Sequence, residues 1–343
     1  MWTQYSIDLY FVFYAGGRMM KMNGSSRKKS IRWDWFPVLF VTAFFCCFLW
    51  GSAAPVIKVA YELFRIDAAD TASRITLAGA RFMIAGGMVI LFGSAIARTF
   101  LRPQAGSVGN ILILAVIQTI GQYFFFFMAL ANISGVRGTI INASGNFFAI
   151  LLAIIMFRLE RMTMRKLAGC LIGFAGILMI LGGVQALSDG GSFTLKGEGA
   201  MLLAALFYAA SGCLIKIYSR SENPVVLSGY QFLIGGAVLF GIGILMGGRL
   251  NFYTPACAGT LIYLGFVSAG AYTLWGILLK NNPVSRVSIL GFMNPVMGVL
   301  ISAVLLHEGN EAFSWKGLAA LALVSVGIII VNSEHADAGT AGK

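Results

Sequence analysis

The chain is 343 residues long, 58% apolar and only 11% charged, whereas soluble domains run near 45–50% apolar and about 25% charged, so a water-soluble fold is excluded. A formal charge of +12 does not indicate nucleic-acid binding, because the basic residues lie between apolar blocks and no aromatic RNA-binding motif accompanies them. The five cysteines (Cys46, Cys47, Cys170, Cys213, Cys257) have neither disulfide nor metal-ligand spacing, and His307 and His335 complete no Cys/His cluster, so no metal or other cofactor is expected.

Residues 1–35 read as a basic cytoplasmic tail. Its apolar run 7–14 is too short to span a bilayer, and no small-residue cleavage site follows, so it is not a signal peptide; Met19, Met20 and Met22 are alternative starts. Ten apolar blocks follow, at residues 36–59, 75–96, 111–130, 139–157, 167–186, 200–217, 225–246, 261–279, 287–306 and 318–331. Most have the roughly 20 residues that a helix rising about 1.5 Å per residue needs to cross about 30 Å of hydrocarbon. The fold class expected is an all-α integral membrane protein of ten transmembrane helices. Residues 36–187 form a first half, 188–199 an external loop, 200–332 a second half and 333–343 a cytoplasmic tail.

Orientation follows from the 25 basic residues. With the N-terminus inside, sixteen fall on cytoplasmic segments and six (Arg65, Arg74, Arg137, Lys196, Arg249, Lys316) on external ones; Lys58, Arg81 and Lys216 remain within or at the ends of spans. This bias places both termini in the cytoplasm.

The halves echo each other. Trp50 precedes Lys58 by eight positions, as Tyr208 precedes Lys216; Phe82 and Gly86 correspond to Phe232 and Gly236, Tyr123 to Tyr272, Arg137 to Arg286, and Glu160 to Glu308. The matches occur in the same order, and five helices per half would set the second half upside down relative to the first.

These residues carry a resemblance to a known family. Phe48-Leu49-Trp50-Gly51-Ser52 ahead of Lys58, Arg81-Phe82, Arg158-Leu159-Glu160-Arg161 running into Leu167-Ala168-Gly169, and Asn294-Pro295 ahead of His307-Glu308 resemble the EamA type of the drug/metabolite transporter superfamily, over residues 38–332. The resemblance implies two inverted EamA repeats, a central substrate cavity and secondary transport, often export of metabolites or amino acids, in a bacterial inner membrane. It names no substrate.

Polar and helix-breaking residues at mid-span should face a cavity or a partner helix. Asn142 and Asn146 in the fourth span and Asn294 with Pro295 in the ninth read as matched interruptions, the best pointer to a transport site. Trp50, Gln122, Tyr123, Tyr208, Tyr272 and Trp275 add rings and an amide suited to a small, partly apolar ligand; packing accounts for such residues equally well. Lys58, Arg81 and Lys216 find no mid-span acid, which favours an anion or zwitterion; Arg81 is expected about six residues into its span, roughly 9 Å deep. Glu160 and Glu308 are read as solvated helix ends beside Arg161 and His307. The competing transport reading is efflux of cationic or aromatic drugs by ring stacking. An intramembrane enzyme is disfavoured, since no mid-span His, Asp or Glu and no Gly-x-Ser-x-Gly elbow occurs, and the phosphate-gripping Gly-x-x-x-x-Gly-Lys-[Ser/Thr] motif is missing. The expected partners are the bilayer and a small-molecule substrate. Gly169 with Gly173 and Gly243 with Gly247 read as helix-packing pairs, and a homodimer is left open.

Overall fold

The computed structural model describes residues 32–67, 69–130, 132–133, 135–180 and 194–305, and in the last span residues 319, 322–323, 325–327 and 329–330. All regular structure among these is helical. Helix α1 (Phe36–Phe64) opens with Pro37 in its first turn, where a missing N–H leaves nothing unpaired, and carries Pro55 in its interior. Helix α2 (Thr71–Ala97) starts at Asp70, whose carboxylate accepts from the Ser73 N–H at 2.9 Å. Helix α3 is composite: a 3-10 turn at Ala105–Ser107, α-helix over Val108–Leu114, a π segment over Ala115–Gly121 and α-helix again over Gln122–Leu130. Then come α4 (Gly135–Ile155), α5 (Met164–Ile180), α6 (Leu195–Tyr218), α7 (Pro224–Leu245) and α8 (Pro255–Asn281). Helix α9 is broken into Val284–Ser288, a 3-10 turn Ile289–Phe292 and Met293–Leu305. The residues described in the last span are helical.

Among the described residues, six helices (α1, α2, α3, α6, α7 and α8) are long and apolar enough to cross a bilayer. Their outward faces carry Val41, Phe44, Phe48, Leu91, Phe92, Val116 and Phe266, all exposed, while Gln118, Thr119, Gln122, Asn146 and Gln231 are buried. An apolar exterior around a polar interior is stable in hydrocarbon, where lipid tails solvate the outside.

Two expectations about the backbone change. Residues 195–199 already form the first turn of α6, inside the expected 188–199 loop. The matched interruption is present in α9 and missing in α4. Pro295 has no N–H to give the carbonyl of Gly291, and the 3-10 turn occupies just those preceding residues. In α4 the backbone satisfies itself, so Asn142 and Asn146 sit on unbroken helix, and the Ser144 hydroxyl donates back to the Ile141 carbonyl at 2.5 Å.

Packing places α2 against α7 along their length. Helix α1 lies on α8 and α9, α6 lies on α4 and α3, α2 also touches α8, and α7 also touches α3. The α2–α7 seam is a backbone contact. A Cβ added at Gly86 would stand 2.6 Å from the Leu233 nitrogen, and one at Gly236 would stand 2.6 Å from the Met83 nitrogen, so only glycine fits at either position. Gly243 packs on Thr76 in the same way, and Gly169 and Gly173 lie against Gly327 of the last span. Gly247 instead ends α7 at a positive φ of 92°.

Candidate functional site

At the centre of the bundle α1, α2, α3, α7 and α8 bring their rings together. Trp50 meets Tyr272 and Trp275 edge-on, each at 5.1 Å between centroids. Phe82 lies 4.5 Å from Tyr123 and 5.3 Å from Phe232, and Phe232 lies 5.2 Å from Tyr272. The two tyrosines of corresponding position, Tyr123 and Tyr272, share a hydroxyl–hydroxyl hydrogen bond of 2.6 Å. The sequence correspondence thus becomes a contact.

Tyr272 and Trp275 also line a narrow crevice of about 10 Å³, room for about one water molecule, together with Tyr208, Gln118, Ser211 and Ser288. Ser211 and Ser288 were not among the expected site residues. Gln118 is brought there by the π segment, whose extra residue per turn rotates the following side chains. The Gln231 amide donates to the Gln118 carbonyl oxygen at 2.6 Å, and the Thr119 hydroxyl donates to Gln231 at 3.1 Å. Several buried polar atoms around the centre have no partner: Trp50 Nε1, Gln122 Oε1, Asn146 Oδ1 and Thr273 Oγ1. Buried donors and acceptors are normally satisfied, so each open one is capacity for a ligand or water.

Arg81 is the most consequential side chain. Because α2 begins at Thr71 rather than near residue 75, Arg81 lies ten residues into the helix, about 15 Å along its axis and deeper than the sequence suggested. It is only 5% exposed, its guanidinium carbon lies 4.6 Å from the Phe82 ring centroid and 5.4 Å from that of Tyr123, and its Nε has no partner. No carboxylate of the described residues stands within ion-pair distance of it. A contact chain therefore runs from Arg81 through Tyr123 and Tyr272 to the crevice.

The other expected residues divide. Asn146 packs against Gly291, in the 3-10 turn of α9, so it touches the interrupted helix without being interrupted itself. Asn142 and Asn294 are half-buried on α4 and α9. Lys216 lies in α6, where its ammonium donates to the backbone carbonyls of Lys280 at 3.0 Å and Asn282 at 2.7 Å, closing the end of α8. The Lys58 side chain and the His307-Glu308 pair lie outside the described residues.

Glu160 departs from its expected solvated role. Its side chain and that of Lys166 are each 8% exposed and paired at 3.0 Å. The same carboxylate accepts from the Ser285 N–H at 3.0 Å and from the Ser285 hydroxyl, at the start of α9. Lys166 also donates to the Arg161 carbonyl at 3.0 Å. The residues after α4 are thereby tied to α9.

The model of the EamA-like transporter family matches the chain twice, over residues 37–182 and 195–333. The chain belongs to this family. It is an EamA-type transporter of the drug/metabolite transporter superfamily and a multi-pass membrane protein, and its family and the names of its relatives indicate a transporter rather than an enzyme. Among its relatives is a chloroplastic WAT1-related protein of Arabidopsis thaliana, 26% identical over 83% of this chain and 67% of that one. An uncharacterized transporter of Synechocystis is 29% identical over 82% and 86% of the two chains. A probable amino-acid metabolite efflux pump of Salmonella typhimurium is 28% identical over 82% and 90%. One crystal structure shares the fold with a TM-score of 0.69 at 20% identity, over 86% of this chain and 98% of the other.

Proposed function

We propose that this EamA transporter exports small carboxylate-bearing metabolites, amino acids or comparable organic anions, across a bacterial inner membrane by alternating access, with both termini in the cytoplasm. Arg81 is the observation that carries the reading. A lipid-facing arginine at mid-bilayer costs about 2.5–3.5 kcal/mol, so a buried guanidinium without a counter-ion is economical where an anion completes it. The rings of Phe82 and Tyr123 against Arg81 supply an apolar wall. The relative named as a probable amino-acid metabolite efflux pump agrees with this cargo class.

The mechanism rests on two inverted five-helix repeats. In support, the contacts of α1 with α8 and α9 have counterparts in those of α6 with α3 and α4, and α2–α8 has its counterpart in α7–α3. The position equivalent to Arg81 is Gln231, whose amide is already engaged by Gln118 and Thr119. One repeat thus offers a free cation and the other a satisfied amide, so a carboxylate would be held on the Arg81 side.

The test is Arg81→Gln, which keeps hydrogen bonding and removes charge. Loss of amino-acid efflux with normal membrane insertion supports the reading. Unchanged efflux, or stronger resistance to cationic dyes, overturns it in favour of drug efflux.

A further inference from the structure

We infer that Arg74 forms a second carboxylate station on the outward path, two helical turns from Arg81. This inference rests on the carboxylate-export reading of Arg81. The two arginines are seven residues apart on α2, hence on one face and about 10 Å apart along the axis. Arg74 repeats the arrangement found at Arg81: its guanidinium carbon lies 4.8 Å from the Tyr61 ring centroid, and its Nε is buried without a partner.

Among the described residues carboxylates occur nearby, and Asp70 lies within electrostatic reach of Arg74, but none pairs with it. Asp70 accepts from the Ser73 N–H, Glu62 and Asp67 are exposed, and among the described residues none stands within ion-pair distance of Arg74. Tyr61 links the stations, since its hydroxyl lies within electrostatic reach of both guanidinium groups.

The equivalent position in the second repeat is Pro224, so the step exists at one end of the molecule only. Under the proposed topology that end is external. A carboxylate leaving Arg81 meets a second guanidinium and a ring before it reaches water, an arrangement that draws the cargo outward. The ligand class is the same as at Arg81, a small metabolite with a carboxylate and an apolar portion.

The experiment uses full-length protein in nanodiscs and proteoliposomes, with an equimolar mixture of carbon-14-labelled proteinogenic amino acids as the probe. Arg74→Gln is expected to leave equilibrium binding within about twofold of wild type and to lower counterflow about fivefold or more. Arg74→Lys, which keeps the charge, is expected to restore at least half of that flux. Counterflow of Arg74→Gln equal to wild type overturns the second station, as does a binding loss as deep as that of Arg81→Gln, which would make the two arginines one site. Binding to Arg81→Gln reports separately on the central site: if it is unchanged, the export reading itself falls.

Discussion

Replacing Glu160 by glutamine should open the end of the transporter that the proposed topology places in the cytoplasm. The carboxylate holds Lys166 and both the N–H and the hydroxyl of Ser285 in an almost dry setting, across the two halves of the chain. Glutamine retains one acceptor for the Ser285 N–H. It turns an amide N–H₂ toward the Lys166 ammonium and the Ser285 hydroxyl, so two charge-assisted bonds worth about 1.5–3 kcal/mol each are lost and a buried cation is left unpaired. Allowing for relaxation, about 3 kcal/mol is withdrawn from the state in which α9 is tied down. At 1.36 kcal/mol per decade this shifts the open-to-closed ratio by roughly 150-fold. A cysteine at Ser288, which lines the crevice, reports the opening in a cysteine-free background. Its reaction with an impermeant maleimide applied from the cytoplasmic side should accelerate by one to two orders of magnitude. An unchanged labelling rate, with or without a fall in melting temperature, would refute the latch and leave Glu160 a purely architectural residue.

Further outcomes follow from other contacts. Gly86→Ala places a methyl 2.6 Å from the Leu233 nitrogen, so the α2–α7 seam must part. The variant should lose about 2 kcal/mol or more, visible as a lowered melting temperature in fluorescence-detected size exclusion, whereas Gly87→Ala, with open space around it, should not. Gln231→Met removes the donor to Gln118 and the acceptor of Thr119. A stability loss of about 1–2 kcal/mol and a raised KM are expected from the released Gln118 amide. Asp70→Ala removes the α2 cap and should cost about 1 kcal/mol near pH 7. The Ser73 N–H holds the Asp70 carboxyl below its ordinary value. A carboxylate depressed on folding contributes fully above its unfolded value of about 3.9 and loses that contribution as pH falls through the lower folded one, so the difference between variant and wild type should shrink in thermal melts near pH 3.

The architecture was legible wherever hydrocarbon length governs the sequence, as in α1, α7 and α8, where the expected blocks 36–59, 225–246 and 261–279 fall on the helices Phe36–Phe64, Pro224–Leu245 and Pro255–Asn281. The central residues were legible for the same reason, because polar atoms within a span must find something to meet. Trp50, Tyr123, Tyr272 and Trp275 do meet one another in the folded chain. Less legible was anything set by a partner far along the chain. Glu160 looks solvated beside Arg161, and only the fold brings Ser285, 125 residues away, to its carboxylate. Lys216 looked like a candidate charge for the cavity until the end of α8 supplied carbonyls for it. The π segment of α3 has no proline or glycine pattern that announces it. It faces Gly235, where a Cβ would stand 2.8 Å from the Thr119 methyl, so the constraint that shapes it lies in α7.

In the proposed alternating-access cycle, the glycine-lined α2–α7 seam would be the axis on which the transporter turns. Two helices touching backbone to backbone can roll on each other like shafts in a bearing, but they cannot separate without losing the contact at every turn. Rotation about such an axle displaces atoms in proportion to their distance from it. With about 20 Å from the middle of a 27-residue helix to its tip, a tilt on the order of 10° moves the tip about 3–4 Å and the middle almost not at all. That stroke is enough to break the 3.0 Å hydrogen bond from the Ser285 N–H to Glu160 that joins the two halves at one end. Arg81 and the tyrosine pair sit near the fulcrum, so the cargo can stay where it is while the doorways swing.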